Sequence, residues 1–159
     1  MDTEAMLRDN LATLSALTAA LSKASGALLG KSTQSIMYLS GWDMGKEEGQ
    51  KLDRSTDLTT AIDLAMSADL HGWHVELWKD ADQPGYVVQE PGLEWAWLIF
   101  RECPVRQVCL AHDVPMGDAL CFLSHGYLAG LLGEIMGKKC DLQLDHAGTN
   151  ACKKALRIK

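Results

Sequence analysis

The sequence predicts an α+β fold, an antiparallel sheet backed by helices, with an N-terminal helical segment, in one domain over residues 1–159. Three observations lead there. Apolar residues recur at helical spacing through the first third of the chain. Strictly alternating segments follow in the middle, and two more close the chain around a turn. Helices first, then strands, then helices and a terminal hairpin segregate the two kinds of element, as α+β folds do.

Leu7, Leu11, Leu14, Thr18, Leu21 and Leu28 place one amphipathic helix over residues 3–28, with a possible break at Ser25-Gly26. Residues 32–51 read as a second helix, with Ser32 or Thr33 as its cap. In it Gly41, Gly45 and Gly49 recur every fourth residue. Each costs about 1 kcal/mol against alanine inside a helix. The spacing therefore predicts that another backbone packs very close to that face. Asp57 caps a third helix, with Leu58, Ala61, Ile62, Ala65 and Met66 on one side and a stop near Gly72.

His74 to Trp78 alternates and reads as a strand, the stretch 79–85 carries turn residues, and Tyr86 to Val88 is a further short strand. Leu93 to Arg101 is apolar on both faces, which predicts a central strand covered on both sides. Cys103-Pro104 ends it, and residues 105–112 form a short helix. After Gly117-Asp118 comes the clearest helix, with Leu120, Leu123, Tyr127, Leu128, Leu131, Leu132 and Ile135 apolar and Gly137 as its stop. Residues 140–144 and 152–158 then form a hairpin.

Net charge is −6, which argues against nucleic acid or an anionic membrane surface as the main partner. Asp2 and Glu4 stand where a secretory signal would be basic, and Arg8, Asp9 and Lys23 interrupt the apolar stretches, so no membrane span is expected. Five cysteines, an odd number, suit reduced thiols or a metal site in the cytoplasm better than a disulfide framework. The leucine-rich first helix and glycine-faced second helix offer more apolar surface than one small sheet covers, so a homodimer is expected.

Phosphate-binding loops, nucleophile elbows and paired carboxylates are absent from the pattern, and no catalytic residue is assigned. Reactive side chains gather in the last third. Cys121 and His125 share a helix face and could ligate one metal ion, or be a buried thiol beside a satisfied histidine. His146 and Cys152 flank the hairpin turn, close enough to meet at the same ion. Cys103 before a proline sits in an extended turn, where a thiolate can be an axial haem ligand. Trp73, Trp78, Trp95 and Trp97 on or beside the strands read as core filling or as the lining of an aromatic pocket.

Cys103-Pro104-Val105, Cys121-Phe122, the stretch His125 to Leu132, Gly148 followed by Cys152, and upstream Tyr38, Gly41 and Gly45 together resemble the 4-vinyl-reductase-type, or hydrocarbon-binding, family, over roughly residues 30–158. The resemblance implies a plait-like sheet backed by helices, a buried pocket for small apolar or aromatic ligands, and often zinc. Relatives include sensor domains of aromatic-responsive activators, a bacteriochlorophyll-pathway protein and vesicle-trafficking subunits. The family zinc site carries over to Cys121, Asp141 and Cys152. Leu144 stands at the place of the remaining cysteine, which leaves His146 or Cys140 to substitute. The expected ligand pocket lies between the sheet and the long helix, drawing on Trp78, Trp97, Phe100, Phe122, His125 and Tyr127. A small-molecule-binding or sensing domain is the leading expectation. A haem binder or a component of a vinyl-group reductase, and a structural interaction subunit acting through a partner protein, are the alternatives.

Overall fold

A computed structural model describes residues 2–68 and 72–159. Helix α1 (Thr3–Leu29) begins where the Asp2 carboxylate accepts the Glu4 N–H at 3.1 Å. It continues unbroken through Ser25 and Gly26. Helix α2 (Ser32–Gly49) has no side-chain cap; the Thr33 hydroxyl instead donates to the Ser25 carbonyl at 2.9 Å. Helix α3 (Leu58–Met66) starts at Asp57, which accepts the Thr60 N–H at 2.9 Å. The expected run toward Gly72 is not taken: α3 stops at Met66, and residues 69–71 lie outside the described residues.

Strands β1 (His74–Trp78), β2 (Val87–Glu90) and β3 (Leu93–Glu102) lead through α4 (Pro104–Ala111) to α5 (Ala119–Met136), then β4 (Cys140–Ala147) and β5 (Cys152–Ile158). Gly137, at φ 64°, ends α5 in the left-handed region that glycine adopts without strain. All pairings are antiparallel, in the order β1-β3-β5-β4. β1 and β2 share one edge of β3, pairing with its second and first halves.

Alternation sends Ala96, Leu98 and Phe100 of β3 and Cys152, Lys154, Leu156 and Ile158 of β5 to the buried face. There they meet Leu128, Leu132 and Ile135 of α5 and Ile62 and Ala65 of α3. This interior is filled: between sheet and α5 only about 10 Å³ is free, bounded by Leu98, Phe100, Leu128 and Leu132 among others. That is barely the space of one water, too little for a ligand among these described residues. The opposite face of β3 carries Trp95, Trp97 and Ile99, which are half-buried and, among the described residues, lie outside the core shared with the helices. The strand is central, as its sequence predicts, but among the described residues only one of its faces joins that core.

The glycines of α2 meet α5 as their spacing requires. A β-carbon on Gly41 would stand 2.0 Å from the Leu123 carbonyl oxygen, and one on Gly45 1.9 Å from that of Tyr127. The seam is reciprocal, since a β-carbon on Gly126 would stand 1.9 Å from the Tyr38 oxygen and one on Gly130 2.3 Å from that of Trp42. The hydrogens in those places point at carbonyl oxygens, the geometry of Cα–H···O contacts between close helices.

α1 is attached lightly. Only Ala19 and Ser22 are buried, and the Ser15 hydroxyl and Lys23 ammonium bond His112 at 2.8 and 2.6 Å. Leu7, Leu11, Leu14, Leu21 and Leu28 are all more than half exposed. By length and composition α1 and α5 could each cross a membrane, against the expectation that no stretch is apolar enough. α5 is mostly enclosed as the core helix of this fold, whereas α1 is uncovered and carries Arg8, Asp9 and Lys23.

Candidate functional site

Because the glycine seam draws α2 down onto α5, Tyr38 of α2 reaches past α5 to the edge strand β4. Its hydroxyl donates to Asp141 Oδ1 at 3.0 Å. Between these elements opens a cleft of about 770 Å³. Leu39, Phe122, Leu142 and Leu144 supply apolar wall, and Tyr38, Asp141 and His125 supply polar groups. Gln143 donates to the other Asp141 oxygen at 3.0 Å, so this carboxylate is engaged on both sides. Burial, and then the Asp141 charge, push the Tyr38 phenol well above its usual range, so it stays protonated and donating.

His125 is the unsettled group. It is 2% exposed, its ring lies tilted against Phe122 with centroids 5.7 Å apart, and its Nε2 has no hydrogen-bond partner among the described residues. Burial, and secondarily the Lys154 charge, lower its pKa to about 3. The imidazole is therefore neutral, and its Nε2 can donate or accept according to tautomer. A buried polar atom without a partner costs about 1–3 kcal/mol, which a ligand hydroxyl in the cleft would offset.

Tyr38, Leu39 and Asp141 also line a second opening of about 750 Å³, rimmed by Lys46, Lys138, Lys139, Arg157 and Lys159. This is a local basic margin on a chain of net charge −6.

Elsewhere in the fold three of the cysteines stand near a buried lysine. Lys154 is 2% exposed, with Nζ 3.9 Å from the centre of the Phe100 ring. Cys103, Cys121 and Cys152 are the thiols whose charge acts on it. Burial lowers its pKa, and those thiols oppose that shift. Arg106, also buried, donates to the Phe100 carbonyl at 2.9 Å and to the Arg101 carbonyl, and its Nη1 lies 4.0 Å from Cys152 Sγ. Cys121 Sγ accepts the Gly117 N–H at 3.1 Å. The neighbouring Cys109 thiol first, then the Gly117 N–H and Lys154, hold the Cys121 thiol at about 6 against the burial that would raise it.

The zinc ligand set implied by the resemblance does not fit this arrangement. A tetrahedral zinc site wants four donors and no cation among them. Here a lysine and an arginine stand among the thiols. Asp141 is bonded to Tyr38 and Gln143 on the edge strand. His146 is exposed and pairs across β5 with Lys153, on the face away from Cys152 and Lys154, because the register shifts by one residue between Leu144 and His146. Cys140 is buried on β4, opposite Ile158 rather than near Cys152. Among the described residues no three of the histidines, cysteines and acids are gathered to hold a metal ion. Cys103 is extended at the head of α4, as expected, and is buried.

The six residues expected to share one pocket are divided. Phe122 and His125 line the cleft. Phe100 and Tyr127 are in the filled core, with Tyr127 stacked on Trp73 at 5.3 Å. Trp78 and Trp97 pair on the uncovered sheet face, where Lys153 lies 4.0 Å over the Trp97 ring. Tyr38, Leu39 and Lys154 carry the site without having been singled out for it. Lys154 could have been found from its strand, since it keeps phase with Cys152, Leu156 and Ile158.

No family model and no curated protein matches this chain. Among solved structures it is similar to the phenol-responsive sensory domain of the transcription activator PoxR in complex with phenol, with a TM-score of 0.59 and 14% identity over 91% of this chain and 73% of that one. At that identity the likeness concerns the fold.

Proposed function

We propose that this chain is a small-molecule-binding, sensory-type domain of the 4-vinyl-reductase kind, taking a compact apolar or aromatic ligand that carries a hydroxyl. The observation that carries this reading is the buried, unpartnered Nε2 of His125 beside an apolar-walled cleft. Phe122 and Leu142 offer faces to a ring, and His125 and the Tyr38–Asp141 pair offer partners to its hydroxyl. The fold likeness to a phenol-responsive domain supports the same reading. Phenol titrated calorimetrically should bind saturably, and cyclohexane-saturated buffer should not mimic its enthalpy. His125→Leu and Phe122→Ala should each weaken phenol by about tenfold or more, near 1.4 kcal/mol. Equal affinity in the wild type and both variants would place phenol elsewhere and reject this site.

A second reading, a structural interaction subunit, draws support from the filled interior and from α1. Leu7, Leu14, Leu21 and Leu28 repeat every seventh residue, all exposed, and Leu11 sits between the first two as a heptad seam requires. We infer that two α1 helices pair in a homodimer. Light scattering should give twice the chain mass at micromolar concentration, and Leu14→Glu with Leu21→Glu should return it to the chain mass. A monomeric wild type rejects the dimer. A dimer that binds no phenol or related phenolic favours the structural reading over the sensory one.

A further inference from the structure

We propose that the basic-rimmed opening is a second ligand site, taking a phosphate monoester of an aromatic alcohol. Lys46, Arg54, Lys138, Lys139, Arg157 and Lys159 line it against two carboxylates, Glu134 and Asp141. Both carboxylates are already engaged. Glu134 accepts from Arg54 at 2.8 Å, and Asp141 accepts from Tyr38 and Gln143 at 3.0 Å each. Lys138 is paired with Glu94 at 2.9 Å. Lys46, Lys139 and Arg157 have no ion-pair partner among the described residues. Arg157 stands opposite Asp141 across β4 and β5, a position where opposite charges ordinarily pair, yet that carboxylate is taken by Tyr38 and Gln143. Three exposed cations thus line one opening without counter-charges, on a chain of net charge −6. A cleft lined by one sign of charge concentrates ions of the other.

The wall of the opening adds a place for a ring. Exposed Leu39 and half-buried Trp42 line it, and Lys46 Nζ lies 5.3 Å from the centre of the Trp42 ring. An ammonium therefore stands beside an aromatic face, so a ligand ring against Trp42 brings its anionic group toward Lys46. The volume, about 750 Å³, falls in the range of small-ligand sites, roughly 300–1,000 Å³. The surplus of cations selects the anion. A carboxylate carries one charge, whereas a phosphate monoester carries close to two at neutral pH and three acceptor oxygens. The planar guanidinium of Arg157 can grip two of those oxygens, while lysines act as point charges. His125 and Phe122 line the first cleft and not this opening, so the proposal stands apart from the phenol site.

The test is calorimetric titration of the whole chain with phenyl phosphate, in a phosphate-free buffer at low salt. Binding should be saturable. Methyl phosphate, with the same charge and no ring, and benzoate, with the ring and one charge, should each bind at least about tenfold more weakly. Lys46→Gln and Arg157→Gln should each weaken phenyl phosphate by about tenfold, the loss of one charge-assisted contact. Lys79→Gln, which removes the same charge outside the opening, should bind as the wild type. Phe122→Ala should lose phenol but keep phenyl phosphate. Circular dichroism checks that each variant retains its fold. No saturation, wild-type affinity in folded Lys46→Gln and Arg157→Gln, or an equal loss in Lys79→Gln overturns the proposal. So does loss of phenyl phosphate in Phe122→Ala, which would place the ester in the first cleft. Methyl phosphate or benzoate binding as tightly as phenyl phosphate would reject the ligand class.

Discussion

Gly45→Ala is expected to destabilise the protein by about 3 kcal/mol or more, although alanine is the better helix former by about 1 kcal/mol. The added methyl would lie 1.9 Å from the Tyr127 carbonyl oxygen, 2.7 Å from its carbon and 2.9 Å from the Leu131 nitrogen. All three are backbone atoms in the middle of α5, so no rotamer change relieves the overlap. The two helices must separate, and overpacking of a rigid contact costs roughly 1–3 kcal/mol even where side chains can yield. Gly26→Ala in α1 is the matched control. Nothing lies within 4 Å of its β-carbon position, and φ there is not positive. It should stabilise by about 0.5–1 kcal/mol through helix propensity alone. Urea denaturation of both variants reads the contrast, and equal midpoints for Gly45→Ala and wild type would refute the close seam.

The second large effect is loss of stability in mild acid through His125. Its folded pKa, about 3, lies below its ordinary value of 6.5, because burial disfavours the charged ring. The unfolded chain therefore takes up a proton below pH 6.5 that the folded chain refuses. The stability linked to this group is complete above pH 6.5 and is lost as pH falls toward 3. Each unit of difference is worth about 1.4 kcal/mol, so the full loss is roughly 4–5 kcal/mol. Glu76 and Glu94 are held below the usual carboxylate value of 4.5, by hydrogen bonds from Arg101 and Lys138 first of all. Their contributions are complete above that value and decline only below it. The window from about pH 5 to 4.5, below the Cys121 value of about 6 and above those of the carboxylates, thus separates the histidine from these groups. His125→Leu should flatten the slope there, measured as the urea midpoint against pH. An unchanged slope would show that His125 is not the proton site.

Where the sequence was informative, the reason was local and periodic. The glycines at 41, 45 and 49 foretold a close backbone because nothing else tolerates so many glycines in one helix face. Asp57 marked the start of α3 and Gly137 the end of α5 for similarly local reasons. The pocket was not legible in the same way. An apolar residue reads alike in a filled core, as Phe100 does, and on an uncovered sheet face, as Trp97 does. Only packing divides them. His146 shows how little is needed to defeat alternation. Continued pairing from Leu144 opposite Lys154 would bring residue 146 opposite Cys152, on the inner face. One bulged residue sets it opposite Lys153 instead, facing outward. Lys154 was passed over for the opposite reason: its phase was readable, but a lysine is seldom buried unless paired.

The light attachment of α1 has a consequence for amide exchange. Amides around Leu7 to Leu14 lie where the helix is uncovered by any other element, so they exchange at the cost of opening that helix end alone. Amides near Ala19 and Ser22 open only when the His112 contacts part, and those of α5 open with the whole fold. The chain therefore unfolds by degrees, with α1 as a separate low-energy step. If two α1 helices pair, the protection of that first step rises with protein concentration while that of the α2–α5 seam does not. Exchange rates at Leu11 and Tyr127, followed across a dilution series, would then report self-association and folding as two independent numbers.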